Sequence, residues 1–326
     1  MDLTKENIIQ LLKKVAIPAS IGTVFQTLYN IVDTFFAGKI SPEALSALAK
    51  SFPIYFIIIA VGIGLGVAST ALMANSIGEG NKNKASMYLA QNIILTLIVA
   101  IIITFLGLNI SSTILELMGS NQKNINLTLK YLDIIFYGSF IVFIQFAINS
   151  SLNAQGDTKS YRNVLIVSFF LNIFLNPLFI FGYGIFPAMG ISGIAFATIF
   201  TQFLGTLYLI YKVYKTELKE FLKINCFIPK KEFIISLLKQ AVPISFGMIT
   251  ISIGVFIILY FVGTFGEYAI AGYGTAIRFE QILLLPIFGL NTAVLSIAGQ
   301  NFGAKNYSRV KETYYKALTI GCGFMV

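Results

Sequence analysis

The chain has 326 residues, of which 56% are hydrophobic and 11% charged, with mean hydropathy +0.81 and a formal net charge of +9. Soluble domains carry roughly 25% charged residues, so a mainly wetted surface is excluded. The two cysteines, Cys226 and Cys322, stand far apart without metal-type spacing and there is no His, which leaves no disulfide framework, His metal site or His proton relay.

Apolar runs of about 20 residues or more recur, each long enough to cross a ~30 Å hydrocarbon core. Runs of this length in lipid are helices, because a helix pairs its own backbone groups. The predicted fold class is therefore an all-α polytopic membrane protein. In chain order, the first span, Val15–Ala37, carries Gly22, Gln26, Asn30 and Asp33 along one helical face. The second is Phe52–Ile77, where Gly62 and Gly66 are spaced for close helix packing. A third, Tyr88–Leu108, is followed by a fourth, Leu127–Ala154, with Gln145, Asn149 and Asn153 at four-residue spacing. The fifth, Val164–Tyr183, repeats that spacing with Ser168, Asn172 and Asn176. The sixth, Ile185–Tyr211, adds Thr198, Thr201 and Gln202. Beyond a Lys/Glu-rich stretch come Phe233–Val262 and Ala269–Ala298, the latter carrying Arg278 and Glu280. A ninth run begins near Ala317.

The chain repeats itself. Pro18-Ala19-Ser20-Ile21-Gly22 returns as Pro243-Ile244-Ser245-Phe246-Gly247, and Gly80-Asn81-Lys82 is echoed by Gly303-Ala304-Lys305. In a membrane chain, two similar halves imply two bundles facing each other across a substrate path. The expected organisation is a first lobe over 1–215, a linker over 216–232 and the start of a second lobe over 233–326. By symmetry the second lobe should hold six spans, so the sequence is expected to end partway through it.

With the N-terminus placed in the cytoplasm, the N-terminal segment and even-numbered loops hold 18 Lys and Arg, while the opposite loops hold Lys39, Lys50, Lys123 and Lys130. The positive charge is thus an orientation signal, which points to a cytoplasmic membrane, lipid headgroups as neighbours and no nucleic-acid partner. No GxxxxGK[ST] or G-x-S-x-G string and no acid pair with a base is present, so an enzyme is not expected. No obligate protein partner is implied either.

Polar side chains in a span are costly against lipid and point to a bundle interior or a wet cavity. Asp33 is the acid deepest in the first six spans. A carboxylate in a low-dielectric pocket can exchange a proton, and one ringed by amide oxygens can bind a hard cation such as Na+. The bland alternative is that Asp33 reaches water near the end of its helix, and that the amides are interhelical glue. Pro18 and Pro243 interrupt helical patterns and read equally as hinges or static kinks. Glu280 is either a functional acid or half of a structural ion pair.

Gln155-Gly156-Asp157-Thr158-Lys159-Ser160, Asn172-Ile173-Phe174-Leu175-Asn176-Pro177, Met189-Gly190-Ile191-Ser192-Gly193 and Gly299-Gln300-Asn301-Phe302-Gly303-Ala304-Lys305-Asn306 together resemble the multidrug and toxic compound extrusion (MATE) family. The resemblance implies two six-helix lobes arranged as a V and export of organic cations and other amphipathic small molecules, driven by inward H+ or Na+ flow with no other cofactor. It implies a cation site at Asp33, fifteen residues after Pro18, with Asn172 and Asn176 and with Gln145 or Asn149 nearby. Many relatives carry Asp at the position of Asn176, so this chain has one carboxylate fewer. Gln26, Asn30, Asn153, Thr201 and Glu280 are the expected lining of a substrate cavity. The rival readings are a flippase for lipid-linked oligosaccharides, whose cavity would carry several cationic residues, and an inactive fragment.

Overall fold

The computed structural model describes residues 1–117, 122–263 and 267–325; the side chains of 251–252, 255–256, 259–260, 263, 267–283 and 325 are outside the description. The helices are α1 (Ile8–Ile40), α2 (Pro42–Gly78), α3 (Lys82–Leu117), α4 (Gln122–Ala154), α5 (Lys159–Phe181) and α6 (Ile191–Tyr214). A short α7 (Leu218–Phe221) and a 3-10 turn (Ile224–Phe227) follow, then α8 (Lys231–Gly263), α9 (Glu267–Gly303) and α10 (Tyr307–Met325). Among the described residues seven helices are long and apolar enough to span a membrane. The surface supports that reading. α3 exposes Leu97, Ile98, Ile101, Ile102, Phe105 and Leu106 and buries Leu89, Asn92, Thr96 and Ala100, an inversion suited to lipid outside and protein inside.

Most helices run beyond the apolar spans, because the hydropathy marks the lipid-embedded part and polar caps extend the helix past it. Asn7 caps α1 by accepting from the backbone N–H of Ile9 at 3.0 Å, and Ser41 caps α2 by accepting from Ala44 N–H at 3.1 Å. The expected sixth span begins too early. Residues 182–190 form a turn instead, with positive φ at Gly182, Gly184 and Gly190, and α6 starts at Ile191. Ile185, apolar in sequence, is 91% exposed on this turn.

Helix contacts within the first half follow from small residues. A Cβ added to Gly62 would lie 2.5 Å from the Phe146 ring, so this glycine seats α2 on α4. The stretch between α6 and α8 is docked on the protein by a buried amide. Gln91 of α3 donates through Nε2 to the carbonyls of Cys226 and Ile228, both at 2.7 Å, and accepts at Oε1 from Lys230 N–H at 2.8 Å. Ser86 donates to Leu218 O, and Lys82 pairs with Glu217, holding that carboxyl below the usual range. On the solvent side Lys212, Lys215 and Lys219 sit over the rings of Tyr208, Tyr211 and Tyr214.

Gln91→Leu would strip three backbone groups of their partners, at about 1–3 kcal/mol for each group left buried and unpaired. We expect a lower unfolding temperature and faster maleimide labelling of Cys226, which is 7% exposed, in a Cys322→Ser background. Unchanged labelling would mean that the linker is held by other contacts.

The helices alternate in direction, so one end of the bundle gathers residue 1, the α2–α3 and α4–α5 turns, the linker and the α9–α10 turn. This basic end is where the two halves of the chain close on each other. An added Cβ at Gly64 would lie 2.0 Å from Ser245 Oγ of α8, one at Gly78 1.9 Å from Gln300 O of α9, and one at Gly289 2.1 Å from Ser20 Oγ of α1. Toward the opposite end, α8 exposes Phe246, Ile253, Ile257, Ile258 and Phe261.

Candidate functional site

α1, α5 and α6 converge on Asp33. Its helical neighbours explain the approach. With about 100° per residue, Gly22 and Asp33 lie within roughly 20° of each other, while Gln26 and Asn30 turn away by about 40° and 80°. Burial follows this order: Gly22 and Asp33 are buried, Gln26 is half-buried and Asn30 is exposed. Gly22 lets α5 come close, since a Cβ there would meet Leu165 Cδ1 at 3.1 Å.

Asp33 is 7% exposed, so it does not reach freely into water. Its Oδ1 accepts from Asn172 Nδ2 and from Asn176 Nδ2, both at 2.9 Å. Its Oδ2 accepts from Thr198 Oγ1 at 3.3 Å, and Asn176 Nδ2 also donates to Asn172 Oδ1 at 3.0 Å. Asn172 and Asn176 are fully buried. Their four-residue spacing on α5 puts both amides on the face turned to α1. One atom is left over: Asn176 Oδ1 is buried with no hydrogen-bond partner.

Around this core lies a second ring. The Tyr29 hydroxyl is 3.0 Å from Thr201 Oγ1, which donates to Thr198 O at 2.9 Å. Tyr29, Thr201, Gln26, Ser168 and Gln145 line a cavity of about 10 Å³, room for about one water. A larger concavity of about 420 Å³ opens elsewhere, between Asn75 of α2, Glu79 at its C-terminal end and Phe302 of α9.

The structure thus brings Asp33, Asn172 and Asn176 into one hydrogen-bonded cluster. Gln145 contributes no atom to Asp33; its Nε2 donates to Gln202 O at 3.2 Å and it belongs to the second ring. Asn149 also stands apart, half-buried with its Oδ1 unpartnered. Asn153 is half-buried toward the basic end of α4. Pro18 and Pro243 lie inside α1 and α8, the first buried and the second exposed. The side chains of Glu280 and Arg278 lie outside the described residues. Tyr29 was not singled out in the sequence, although its position four residues before Asp33 places it on the same stripe. Thr198 stood out only as one polar residue among several on the sixth span.

A buried carboxylate held by amide and hydroxyl donors, in the first of two repeated helical bundles, defines a polytopic membrane protein with an ionisable site inside one bundle. Comparison with known proteins places it further. The MatE family model matches residues 18–178 and 243–326, each stretch opening on one of the paired prolines. The chain belongs to the MatE family. It is 29% identical over 302 residues to the probable multidrug resistance protein YoeA of Bacillus subtilis, covering 91% of this chain and 65% of that protein. It is 30% identical over 313 residues to the probable multidrug resistance protein NorM of Thermotoga maritima, covering 94% and 67%. Among solved structures, an outward-facing conformation of a multidrug resistance MATE family transporter of the MOP superfamily superposes with TM-score 0.88 at 28% identity, covering 98% of this chain and 70% of that one. The chain spans about two thirds of the length of the curated relatives it matches.

Proposed function

We propose that this protein is a secondary active multidrug exporter of the cytoplasmic membrane, with its N-terminus in the cytoplasm, exchanging organic cations and other small amphipathic compounds for H+ or Na+. The observation that carries the reading is the Asp33–Asn172–Asn176–Thr198 cluster. It is the kind of intramembrane charge that is costly unless it has a function. The names of the relatives support the substrate class, and the sealed basic end fits a state open to the opposite side.

Each residue has a role in this scheme. Without a bound cation, the amide N–H groups of Asn172 and Asn176 and the Thr198 hydroxyl hold the carboxylate by charge-assisted hydrogen bonds of about 1.5–3 kcal/mol each. When a proton or Na+ neutralises Asp33, these bonds weaken. Rotation of either amide about its last torsion presents oxygen in place of N–H, and the unpartnered Asn176 Oδ1 is already such an oxygen. With both carboxylate oxygens, the amide oxygens and Thr198 Oγ1, the set is all-oxygen, which suits a hard cation. The changed bonds alter how α1 seats on α5 and α6. Pro18 is the position at which α1 yields, with Pro243 as its counterpart in α8. One cation crossing the membrane releases ~2.3 kcal/mol per 100 mV, enough to bias a balanced two-state packing. Gln26, Asn30, Asn153 and Thr201 serve the path of the organic substrate. The chemistry needs no enzymatic step, other cofactor, nucleic acid or obligate protein partner.

The test is efflux of a fluorescent organic cation from pump-deficient cells expressing the protein, with and without Na+ and with the proton gradient collapsed. Export abolished by removal of one of the two gradients is expected and identifies the ion. Export unchanged when both gradients are removed would contradict the scheme.

A further inference from the structure

The stretch between α6 and α8 runs down the side of α3. Lys82 pairs with Glu217, Ser86 donates to Leu218 O, and Gln91 bonds Cys226, Ile228 and Lys230. Later residues of the stretch therefore meet α3 progressively further from its start. With a rise of 1.5 Å per residue, Gln91 lies about 13 Å along the helix from Lys82. Leu97 and Ile98, where the exposed apolar face of α3 begins, lie only about 10 Å beyond it. The stretch thus occupies the depth of the lipid headgroups, between the aqueous end of the bundle and the hydrocarbon core.

Its composition suits that depth. Leu218 and Cys226 are buried and mark the side turned to the protein. Away from it, Ile224 is 84% exposed, Ile228 60% and Phe227 40%. Apolar side chains this open are costly in water and belong at the boundary of the acyl chains. Lys212, Lys215, Lys219, Lys223, Lys230 and Lys231 stand in the same stretch. None of these six pairs with a carboxylate among the described residues, although Glu220 and Glu232 are exposed beside them in sequence. Three are already positioned: Nζ of Lys212, Lys215 and Lys219 lies 5.4, 4.5 and 3.6 Å from the ring centroids of Tyr208, Tyr211 and Tyr214. Tyr211 and Tyr214 end an exposed row on α6 that runs through Phe203, Leu207 and Ile210. The lipid-facing surface therefore leads straight into the basic one, with tyrosines at the join. A merely solvated loop needs neither the buried anchor nor the apolar tip.

We propose that this stretch is a binding platform for anionic phospholipid. Lys215, Lys219 and Lys223 take the phosphate-bearing headgroups, and Ile224, Phe227 and Ile228 enter the top of the acyl layer. Unpaired ammonium groups held at headgroup depth complement a negative leaflet and give a zwitterionic one no net charge to attract. The platform is bolted to α3 by Gln91 and continues directly into α8, whose Phe233 packs on Tyr88 of α3 with ring centroids 4.8 Å apart. Bound lipid therefore steadies the point at which the two halves of the chain are joined. The inference holds whatever ion or substrate the protein carries.

The chain contains no Trp, so one introduced indole reports alone. Ile224→Trp is reconstituted into vesicles of phosphatidylcholine and phosphatidylglycerol in which one or the other lipid carries brominated, fluorescence-quenching acyl chains. Brominated phosphatidylglycerol should quench more strongly than brominated phosphatidylcholine at the same mole fraction, and high salt should shrink the difference. Phe105→Trp, at a 67% exposed position on the lipid face of α3, should be quenched equally by both. The preference at 224 should vanish in Lys215→Gln/Lys219→Gln/Lys223→Gln and persist in the corresponding triple Arg variant. Absence of quenching by either lipid would place the turn in water and overturn the platform. Equal quenching by the two lipids would leave an apolar anchor without anionic selectivity, and a preference that survives the triple Gln variant would remove these lysines from the site; either result overturns the proposal.

Discussion

Asp33→Asn is expected to reduce export to the level of cells carrying empty vector, while membrane abundance and unfolding temperature stay close to those of the parent. The fold should survive because the amide keeps the geometry. Its oxygen still accepts from Asn172 and Asn176, and its NH2 faces Thr198 Oγ1, which is able to accept. What disappears is the charge. An amide neither takes up a proton nor offers the negative oxygen that a cation needs, so in the proposed scheme the two packings of α1 lose the ligand that distinguishes them. A ligand with no differential affinity for two states shifts nothing. Asn172→Leu should behave differently. It removes a donor and leaves a buried carboxylate partly unpaired, so it should lower stability as well as export. Normal efflux by a well-expressed Asp33→Asn variant would remove this cluster from the mechanism.

The second large effect is expected where α2 and α9 touch backbone to backbone. A Cβ added to Gly78 would lie 1.9 Å from Gln300 O, and one added to Gly303 would lie 2.0 Å from Asn75 O. Both obstacles are main-chain atoms, so no rotamer change relieves them and the helices must separate. Forced overpacking of this kind typically costs about 1–3 kcal/mol. In the proposed transport cycle the clash belongs to the state with the basic end closed, so the cost falls on that state and should shift the population toward an open one by about tenfold. Gly78→Ala and Gly303→Ala should each make a cysteine introduced at Ile297, fully buried here, reactive to a water-soluble maleimide. Gly38→Ala is the matched control, because nothing lies within 4 Å of its added Cβ. Equal labelling in all three variants would show that the close approach does not control opening.

Much of this was legible before any coordinates. Hydropathy alone located the spans, since a helix in lipid has to be apolar over about 20 residues whatever its neighbours are. Four-residue spacing put Asn172 and Asn176 on one face, and the paired prolines marked the repeat. Spacing could not tell which polar residues meet. Gln145, Asn149 and Asn153 have the same periodicity as the α5 stripe, but the donors that reach Asp33 come from α5 and α6, a consequence of helix placement that no single stripe encodes. Tyr29 was passed over because an aromatic residue in an apolar span looks like packing until its hydroxyl finds Thr201. The anchoring of the linker depends on tertiary contact in the same way. Its Lys residues do lie on the surface, but its backbone is pinned by Gln91, a side chain more than a hundred residues earlier whose three hydrogen bonds depend on tertiary contact. The turn over 182–190 was lost in an apolar run because Ile185 and Phe186 outweighed the glycines around them.

The central claim is that the pocket at Asp33 binds the coupling cation. Its most direct test is calorimetric titration of the purified protein with Na+ at several pH values, beside the Asp33→Asn variant. The account predicts that the parent binds one Na+ in competition with protons, or takes up a proton with no Na+ binding, and that the variant does neither. Equal cation binding by parent and variant would contradict it.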